Sequence, residues 1–306
     1  MRWGVALNVR DRIAETLRKA EIAEKGGIDQ VWVTDFPAIR YAPTVAAAIA
    51  ERTTSCRIGV GLMSPLLYSS THIVQIMSTL IDSFGERFDL LLGPGDRHAL
   101  ASVGVSYSVK SMVTKTTNAL EDIKHGLSKA GLRSTILLGA QGPVMINASL
   151  KADGVLLNYS DIEMVKWALG QIKERIPDDF HLGIFPPTFI GDCKDIMNNP
   201  GVALSAAMVA MGLSSKVSEF FGFREKIETA RGLMAEQGRI DVEVVKSLGS
   251  EILHAFAFCG SVNQLASYLR TLEELGISSA VFGPPQGIRK SGVDSLVKAK
   301  ASFDKG

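Results

Sequence analysis

The stretch RIGVGLMSPLLYSSTHIVQIMSTLIDSFGERFDLLLGPG, residues 57–95, contains one complete strand–helix–strand unit. The apolar runs Arg57–Leu62 and Phe88–Leu92 predict strands, and the periodic stretch Ile73–Phe84 between them predicts a helix. Both strand runs are almost continuously apolar, which is typical of parallel strands buried on both faces. The unit therefore predicts a parallel sheet whose strands are joined by crossover helices.

The same pattern recurs along the rest of the chain. Helical periodicity fills the intervals between further apolar runs, for example at Arg12–Glu24 and Ile162–Ile176. Eight strands that alternate with helices predict an α/β fold of the (β/α)8 TIM-barrel type. The six further strand runs are Arg2–Leu7, Gln30–Thr34, Thr135–Leu138, Gly154–Leu157, His181–Phe185 and Ser279–Phe282.

The spacing of the predicted strands indicates one domain with one long excursion. The first four strands start at residues 2, 30, 57 and 88, close to the roughly 30 residues per unit of an ordinary barrel. The last two start at residues 181 and 279, which leaves a large surplus. We expect Pro186–Gly260, which has helical patterning, to form an excursion over the C-terminal rim between strand 7 and helix 7. Residues 1–306 are then a single barrel domain.

Composition excludes several classes of function. The 306 residues contain 33 Lys+Arg and 32 Asp+Glu, so the net charge of +1 offers no field for nucleic acid or an anionic membrane surface. The longest nearly apolar stretch, Val202–Leu213, is too short to cross a bilayer. Cys56, Cys193 and Cys259 are odd in number and widely spaced, which argues against a disulfide framework and against a CxxC metal site. We therefore expect a cytoplasmic protein without a metal centre.

Candidate functional residues follow from the barrel itself, because active sites of this fold lie at the C-terminal ends of the strands. Asp35 follows strand 2, and Asp96 closes the GPGD loop after strand 4. Each could be a catalytic acid, a helix N-cap or a solvated loop residue. Gly139–Gly142 follows strand 5 and precedes Pro143, a pattern that suits either a phosphate-binding helix start or an ordinary tight turn.

Several stretches together resemble one family. The resemblance is to the F420-dependent methylenetetrahydromethanopterin reductases of the bacterial-luciferase-like superfamily, and it extends from Met1 to about Phe303. GPGD and GAQGP, at the ends of strands 4 and 5, are its most specific parts. The matching stretches are TDF (34–36), IGVGLMSP (58–65), GERFDLLLGPGD (85–96), GAQGPVM (139–145) and HAFAFCGS (254–261).

The resemblance implies a cofactor, a substrate class and roles for particular residues. It implies the deazaflavin F420 at the barrel mouth, a small pterin-like substrate, and a homodimer or homotetramer. A non-prolyl cis peptide at Gly61–Leu62 would support the ring from behind, while Asp35 and Asp96 would act as the catalytic residues. Asp35 and Gly93 would also lie beside the ring. The phosphate would lie at the loop of Gly139, Ala140, Gln141 and Gly142.

Two positions depart from the family pattern. Relatives carry an acidic residue where this chain has Ala6, and commonly a histidine where it has Phe36. Neither side chain can transfer a proton. The loss of these two polar groups is the reason to keep a non-catalytic relative that only binds a cofactor as an alternative. An FMN-dependent monooxygenase or flavoprotein of the same superfamily is a second alternative to F420-dependent hydride transfer.

Overall fold

The fold is a closed barrel of eight parallel strands, seen in a computed structural model that describes residues 1–7, 10–37, 39–106 and 108–305. Each barrel strand pairs in parallel with its neighbours, and the first and last strands pair with each other to close the barrel. The barrel strands are β1 (Arg2–Leu7), β2 (Gln30–Val33), β3 (Arg57–Met63), β4 (Phe88–Leu92), β5 (Thr135–Ala140), β6 (Gly154–Leu157), β7 (His181–Ile184) and β10 (Ser279–Gly287).

The predicted (β/α)8 barrel is confirmed, and all eight predicted strands are barrel strands. Outside the barrel, β8 (Thr188–Ile190) and β9 (Phe258–Gly260) form a separate two-stranded parallel sheet. The helices are α1 (Ile13–Lys25), α2 (Ala42–Ala50), α3 (Ser70–Phe84), α4 (Arg97–Ser102), α5 (Val109–Lys129), α6 (Pro143–Ala148), α7 (Ile162–Gly170), α8 (Pro200–Met211), α9 (Ser215–Phe220), α10 (Arg224–Gln237), α11 (Val242–Phe256), α12 (Val262–Glu274) and α13 (Lys290–Phe303).

Helix α7 ends at Gly170, six residues before the predicted end at Ile176. The Asn147 side chain explains the early stop, because it binds the backbone just beyond the helix. Its Nδ2 donates to the Gln171 carbonyl at 2.7 Å, and its Oδ1 accepts from the Lys173 N–H at 3.3 Å. These contacts fix a non-helical path that local periodicity does not reveal.

Two hydrophobic layers hold the barrel. The larger lies between the strands and the surrounding helices. The smaller fills the barrel interior, where the indole of Trp32 is the largest side chain and is fully buried. A Cβ on Gly4 would lie 3.1 Å from the Trp32 ring, and a Cβ on Gly59 would overlap it. Glycine at these two inward positions therefore leaves the space that the indole occupies.

The number and spacing of the cysteines predict no disulfide framework, and this prediction is wrong. Cys193 and Cys259 form a disulfide with their Cα atoms 5.7 Å apart. The pairing of β8 with β9 brings them together across 66 residues of sequence, a contact that spacing alone does not show. The third cysteine, Cys56, is buried and free.

The segment between β7 and β10 holds β8, four helices from α8 to α11, β9 and then α12. Its interpretation as an excursion from a single domain stays a prediction. Within the described ranges, no helix is long and apolar enough to cross a membrane.

Candidate active site

The mouth of the barrel is lined by glycines on three adjacent strands. Leu91 of β4 and Leu137 of β5 belong to the interior cluster, and Gly61 of β3 pairs with Leu91. Because side chains alternate along a strand, Gly93 and Gly139, two residues beyond these leucines, also face inward. The last inward-facing positions of β3, β4 and β5, at the C-terminal end of the barrel, are thus glycines without side chains.

Leu62 fills part of the space that these glycines leave. The register of β3 against β4 shifts between Gly61 and Met63, so Leu62 is the extra residue of a bulge. The Gly61–Leu62 peptide is cis, which confirms the prediction, and Gly61 has φ +147°. A Cβ on Gly93 or Gly139 would lie 2.6 or 2.7 Å from Leu62 Cδ1. The half-buried Leu62 side chain is therefore a floor that requires glycine at position 93, just after β4, and at position 139 on β5.

Asp35 lies beside this bulge. Its backbone N–H donates to the Gly61 carbonyl at 3.0 Å, and the residue is half-buried. Burial raises the pKa of the Asp35 carboxyl, while the Tyr68 hydroxyl and the Ala42 N–H act in the opposite direction without cancelling the effect. The predicted residues Asp35, Gly61 and Leu62 therefore lie together, and the pKa of the Asp35 carboxyl at this place is raised.

Two tyrosines that the sequence reasoning missed adjoin Asp35. The rings of Tyr41 and Tyr68 have centroids 6.2 Å apart. Burial raises the pKa of Tyr41, and the negative charge of Asp35 raises it further. Burial and the same carboxylate raise the pKa of Tyr68. Tyr68 is 33 positions from Asp35 in sequence, so only the adjacency of β2 and β3 could have indicated the contact.

The GPGD loop after β4 is tied to the bulged strand. The Ser64 hydroxyl donates to the Pro94 carbonyl at 2.6 Å, and Gly95 has φ +87°, a conformation that favours glycine. Asp96 follows, and its Oδ1 accepts from the Ala99 N–H at 2.8 Å. The carboxylate of Asp96 thus caps α4, the structural alternative that the sequence left open. A catalytic role for Asp96 stays a prediction.

In the loop after β5, Gly142 faces open space and Gln141 is hydrogen-bonded to α8. Gly142 is the N-cap residue of α6, Pro143 follows it, and a Cβ on Gly142 would meet nothing within 4 Å. Gln141 instead faces the protein, because its Nε2 donates to the Val209 carbonyl of α8 at 3.1 Å. Its own carbonyl accepts from the buried Tyr159 hydroxyl. Ala140 is buried beneath the loop. Open space therefore lies at Gly142, while Gln141 holds the loop to α8.

The two departures from the family pattern differ in environment. Ala6 is 1% exposed and belongs to the barrel interior with Trp32. Phe36 is half-buried on the loop after β2, next to Asp35. Both positions are therefore apolar in this chain, one inside the barrel and one on the loop after β2.

The closed parallel barrel, the bulge on β3 and the glycine-lined mouth form a TIM barrel with an open C-terminal end. Residues 2–109, from β1 to the start of α5, match the luciferase-like monooxygenase family. The chain is 24% identical over 326 aligned residues to 5,10-methylenetetrahydromethanopterin reductase of Methanolobus tindarius, with 97% of this chain and 98% of the relative covered. The predicted resemblance is thereby confirmed.

Two solved structures have the same fold over nearly the whole chain. The coenzyme F420-dependent tetrahydromethanopterin reductase from Methanopyrus kandleri gives a TM-score of 0.81 at 19% identity, with 99% of each chain covered. An F420-dependent secondary alcohol dehydrogenase in complex with an F420-acetone adduct gives 0.70 at 16% identity, again with 99% of each chain covered. Solved monooxygenases share the fold as well, and so does a riboflavin lyase whose structure contains modified FMN. The fold alone therefore does not determine the cofactor.

Proposed function

We propose that this chain is an F420-dependent oxidoreductase, which transfers a hydride from reduced F420 to a methylenetetrahydromethanopterin-type substrate. The observation that carries the proposal is the floor made by Leu62, held between Gly93 and Gly139. It is supported by the similarity to a named reductase over almost the full length of both chains. No residue of the described mouth favours the FMN alternative.

The residues present fit a planar ring with a phosphate-bearing tail. A flat ring needs a surface without projecting side chains, and the three inward glycines with Leu62 offer one. A phosphate needs open space before a helix start, and Gly142 with Pro143 offers it at α6. When bound and reduced, F420 supplies the hydride.

The chain itself would position the reactants and hold a proton. Hydride transfer depends mainly on orientation and on the exclusion of water. Leu62 would set the depth of the ring, while the Asp35 carboxyl, whose pKa burial raises, would accept or donate a proton beside it. Since Ala6 and Phe36 cannot transfer protons, proton handling falls to Asp35, with Tyr68 next to it. Asp96 would orient the substrate from the GPGD loop. We also propose a cytoplasmic homodimer or homotetramer.

Ligand titration tests the proposal. We expect the purified chain to bind F420, followed by quenching of F420 fluorescence, and Gly142→Asp to weaken binding at least tenfold through charge repulsion. Gly232→Asp is the matched control, because Gly232 of α10 is exposed and also has nothing within 4 Å of a Cβ. Equal dissociation constants for Gly142→Asp and the wild type would remove this loop from the site.

Steady-state turnover, together with cofactor binding, distinguishes the F420-dependent enzyme from a flavoprotein and from a non-catalytic relative. We expect F420 oxidation to depend on added methylenetetrahydromethanopterin. A chain that binds FMN but not F420 would contradict the proposal in favour of a flavoprotein. Tight F420 binding without turnover would instead indicate a non-catalytic relative or another substrate.

A further inference from the structure

The disulfide joins the two ends of the helical segment from α8 to α11, beside the small β8–β9 sheet. Cys259 is part of β9, and Cys193 follows β8 by three residues. In the two-stranded sheet Thr188 pairs with Phe258, and the Gly191 N–H donates to the Gly260 carbonyl at 2.9 Å. The disulfide therefore closes a 66-residue loop that contains all four helices.

The same segment contacts the candidate site directly. The Gln141 side chain of the loop after β5 donates to Val209 of α8. Beyond β6, the N–H groups of Ser160 and Asp161 both donate to the Ala255 carbonyl of α11, at 2.9 and 3.1 Å. Helices α8 and α11 thus hold two neighbouring loops of the barrel mouth.

Polar contacts connect Cys193 to both of these helices. Asn199, the N-cap residue of α8, donates from Nδ2 to Cys193 Sγ at 3.5 Å and to the Asp195 carbonyl at 3.3 Å. Asp195 Oδ1 accepts from the Ser250 hydroxyl of α11 at 3.1 Å. Hydrogen bonds therefore link the start of α8 and the middle of α11 to the chain around the disulfide.

We propose that Cys193–Cys259 is a redox-responsive modification site, whose oxidation fastens α8–α11 over the mouth and whose reduction loosens the grip on the bound cofactor. The identity of that ligand as F420 rests on the proposed function. The cytoplasmic setting also belongs to the proposed function, and in a reducing cytoplasm a disulfide that forms is usually a transient or sensing one.

The chemistry is thiol–disulfide exchange with a dithiol reductant. One thiolate of the reductant attacks a sulfur of the pair, so a mixed disulfide forms, the Cys193–Cys259 bond breaks and one cysteine leaves as thiolate. The second thiol of the reductant then displaces the other cysteine. The protein gains two electrons and two protons, and the reductant leaves as its own disulfide. Both cysteines are half-buried, so exchange needs only local access.

Cys56 serves as an internal control. It is 4% exposed, and burial raises the pKa of its thiol to about 11, so little reactive thiolate forms at neutral pH. Replacing it removes a thiol without touching the disulfide.

The experiment compares oxidised and dithiothreitol-reduced forms of the full chain, for the wild type, Cys193→Ser and Cys56→Ser. We expect reduction to weaken F420 binding about fivefold or more in the wild type and in Cys56→Ser. Cys193→Ser should resemble the reduced wild type under both conditions. Limited proteolysis, mapped by mass spectrometry, should show new cleavage within residues 192–257 only where the disulfide is absent.

Two results would overturn the inference: two free thiols at Cys193 and Cys259 after treatment with an oxidised dithiol, or equal F420 affinity and equal cleavage in both redox states. If no form binds F420, the proposed function fails. The cleavage comparison then still decides whether the disulfide fastens the segment.

Discussion

At the scale of the residue, the mouth is shaped by side chains that are missing. Gly93 follows β4 and Gly139 belongs to β5, yet a Cβ added at either position would meet the same Leu62 methyl group. Gly142, three residues beyond Gly139, faces open space instead. A Cβ would therefore meet the Leu62 side chain at positions 93 and 139, whereas at position 142 it would extend into open space.

This difference predicts opposite outcomes for the same substitution. We expect Gly139→Ala to displace Leu62 and to lower the free energy of unfolding by about 1–3 kcal/mol, as overpacking does. Gly142→Ala should change it by less than about 0.5 kcal/mol. Urea unfolding of both variants measures this. Equal stability of the two variants would show that Leu62 does not occupy the position assigned to it.

At the scale of the element, one carboxylate joins α1 to the loop between α2 and β3. Glu24 Oε1 accepts from the backbone N–H groups of Thr54, Ser55 and Cys56, at 2.7 to 3.0 Å. Burial alone would raise the pKa of Glu24. The N–H donors of Cys56, Ser55 and Thr54 outweigh that effect and lower the pKa to about 2.

The sign of this shift determines a pH dependence. Because the folded pKa of Glu24 lies below the unfolded one, its stabilisation is present above the unfolded value of 4.5 and is lost as pH falls toward 2. Glu24→Gln should therefore cost about 1–2 kcal/mol at pH 7 and much less near pH 2. Glu15→Gln on the same helix, where Glu15 is exposed, is the control. A deficit in Glu24→Gln that does not shrink on acidification would contradict the assignment.

Elements could be predicted from sequence to very different extents. The barrel strands could, because parallel strands buried on both faces appear as short apolar runs, as at Phe88–Leu92. The bulge at Leu62 followed only from the family resemblance. The contact of Tyr68 with Asp35 and the Cys193–Cys259 disulfide were missed, because each joins two segments that are distant in sequence and meet only in the folded protein.

At the scale of the whole molecule, the two ends of the barrel carry different polar groups. The N-terminal end holds a network in which Arg57 binds Asp89 at 2.6 Å and Gln30 donates to the same carboxylate at 2.9 Å. A charged cavity of about 370 Å³ opens there, lined in part by Arg2, Arg57 and His181. The C-terminal end carries Asp35 and the glycine-lined mouth. In barrels of this kind only the C-terminal end is expected to carry chemistry.

One substitution made at both ends tests this division. Asp89 is 1% exposed and paired, so Asp89→Asn should lower the free energy of unfolding by about 3 kcal/mol because Arg57 loses its partner. The F420 affinity of the folded protein should stay unchanged.

At the other end, burial raises the pKa of Asp35, so the charged form of its carboxyl is disfavoured in the folded state. Asp35→Asn should therefore leave the free energy of unfolding unchanged or raise it at pH 7. Its turnover should fall roughly 100-fold or more, as expected for loss of a proton-handling group. Urea unfolding and F420 oxidation, measured on both variants at the same pH, decide the matter. If Asp35→Asn lost stability while turnover was retained, Asp35 would be a structural residue, and Asp96 would be the remaining candidate acid of the mouth.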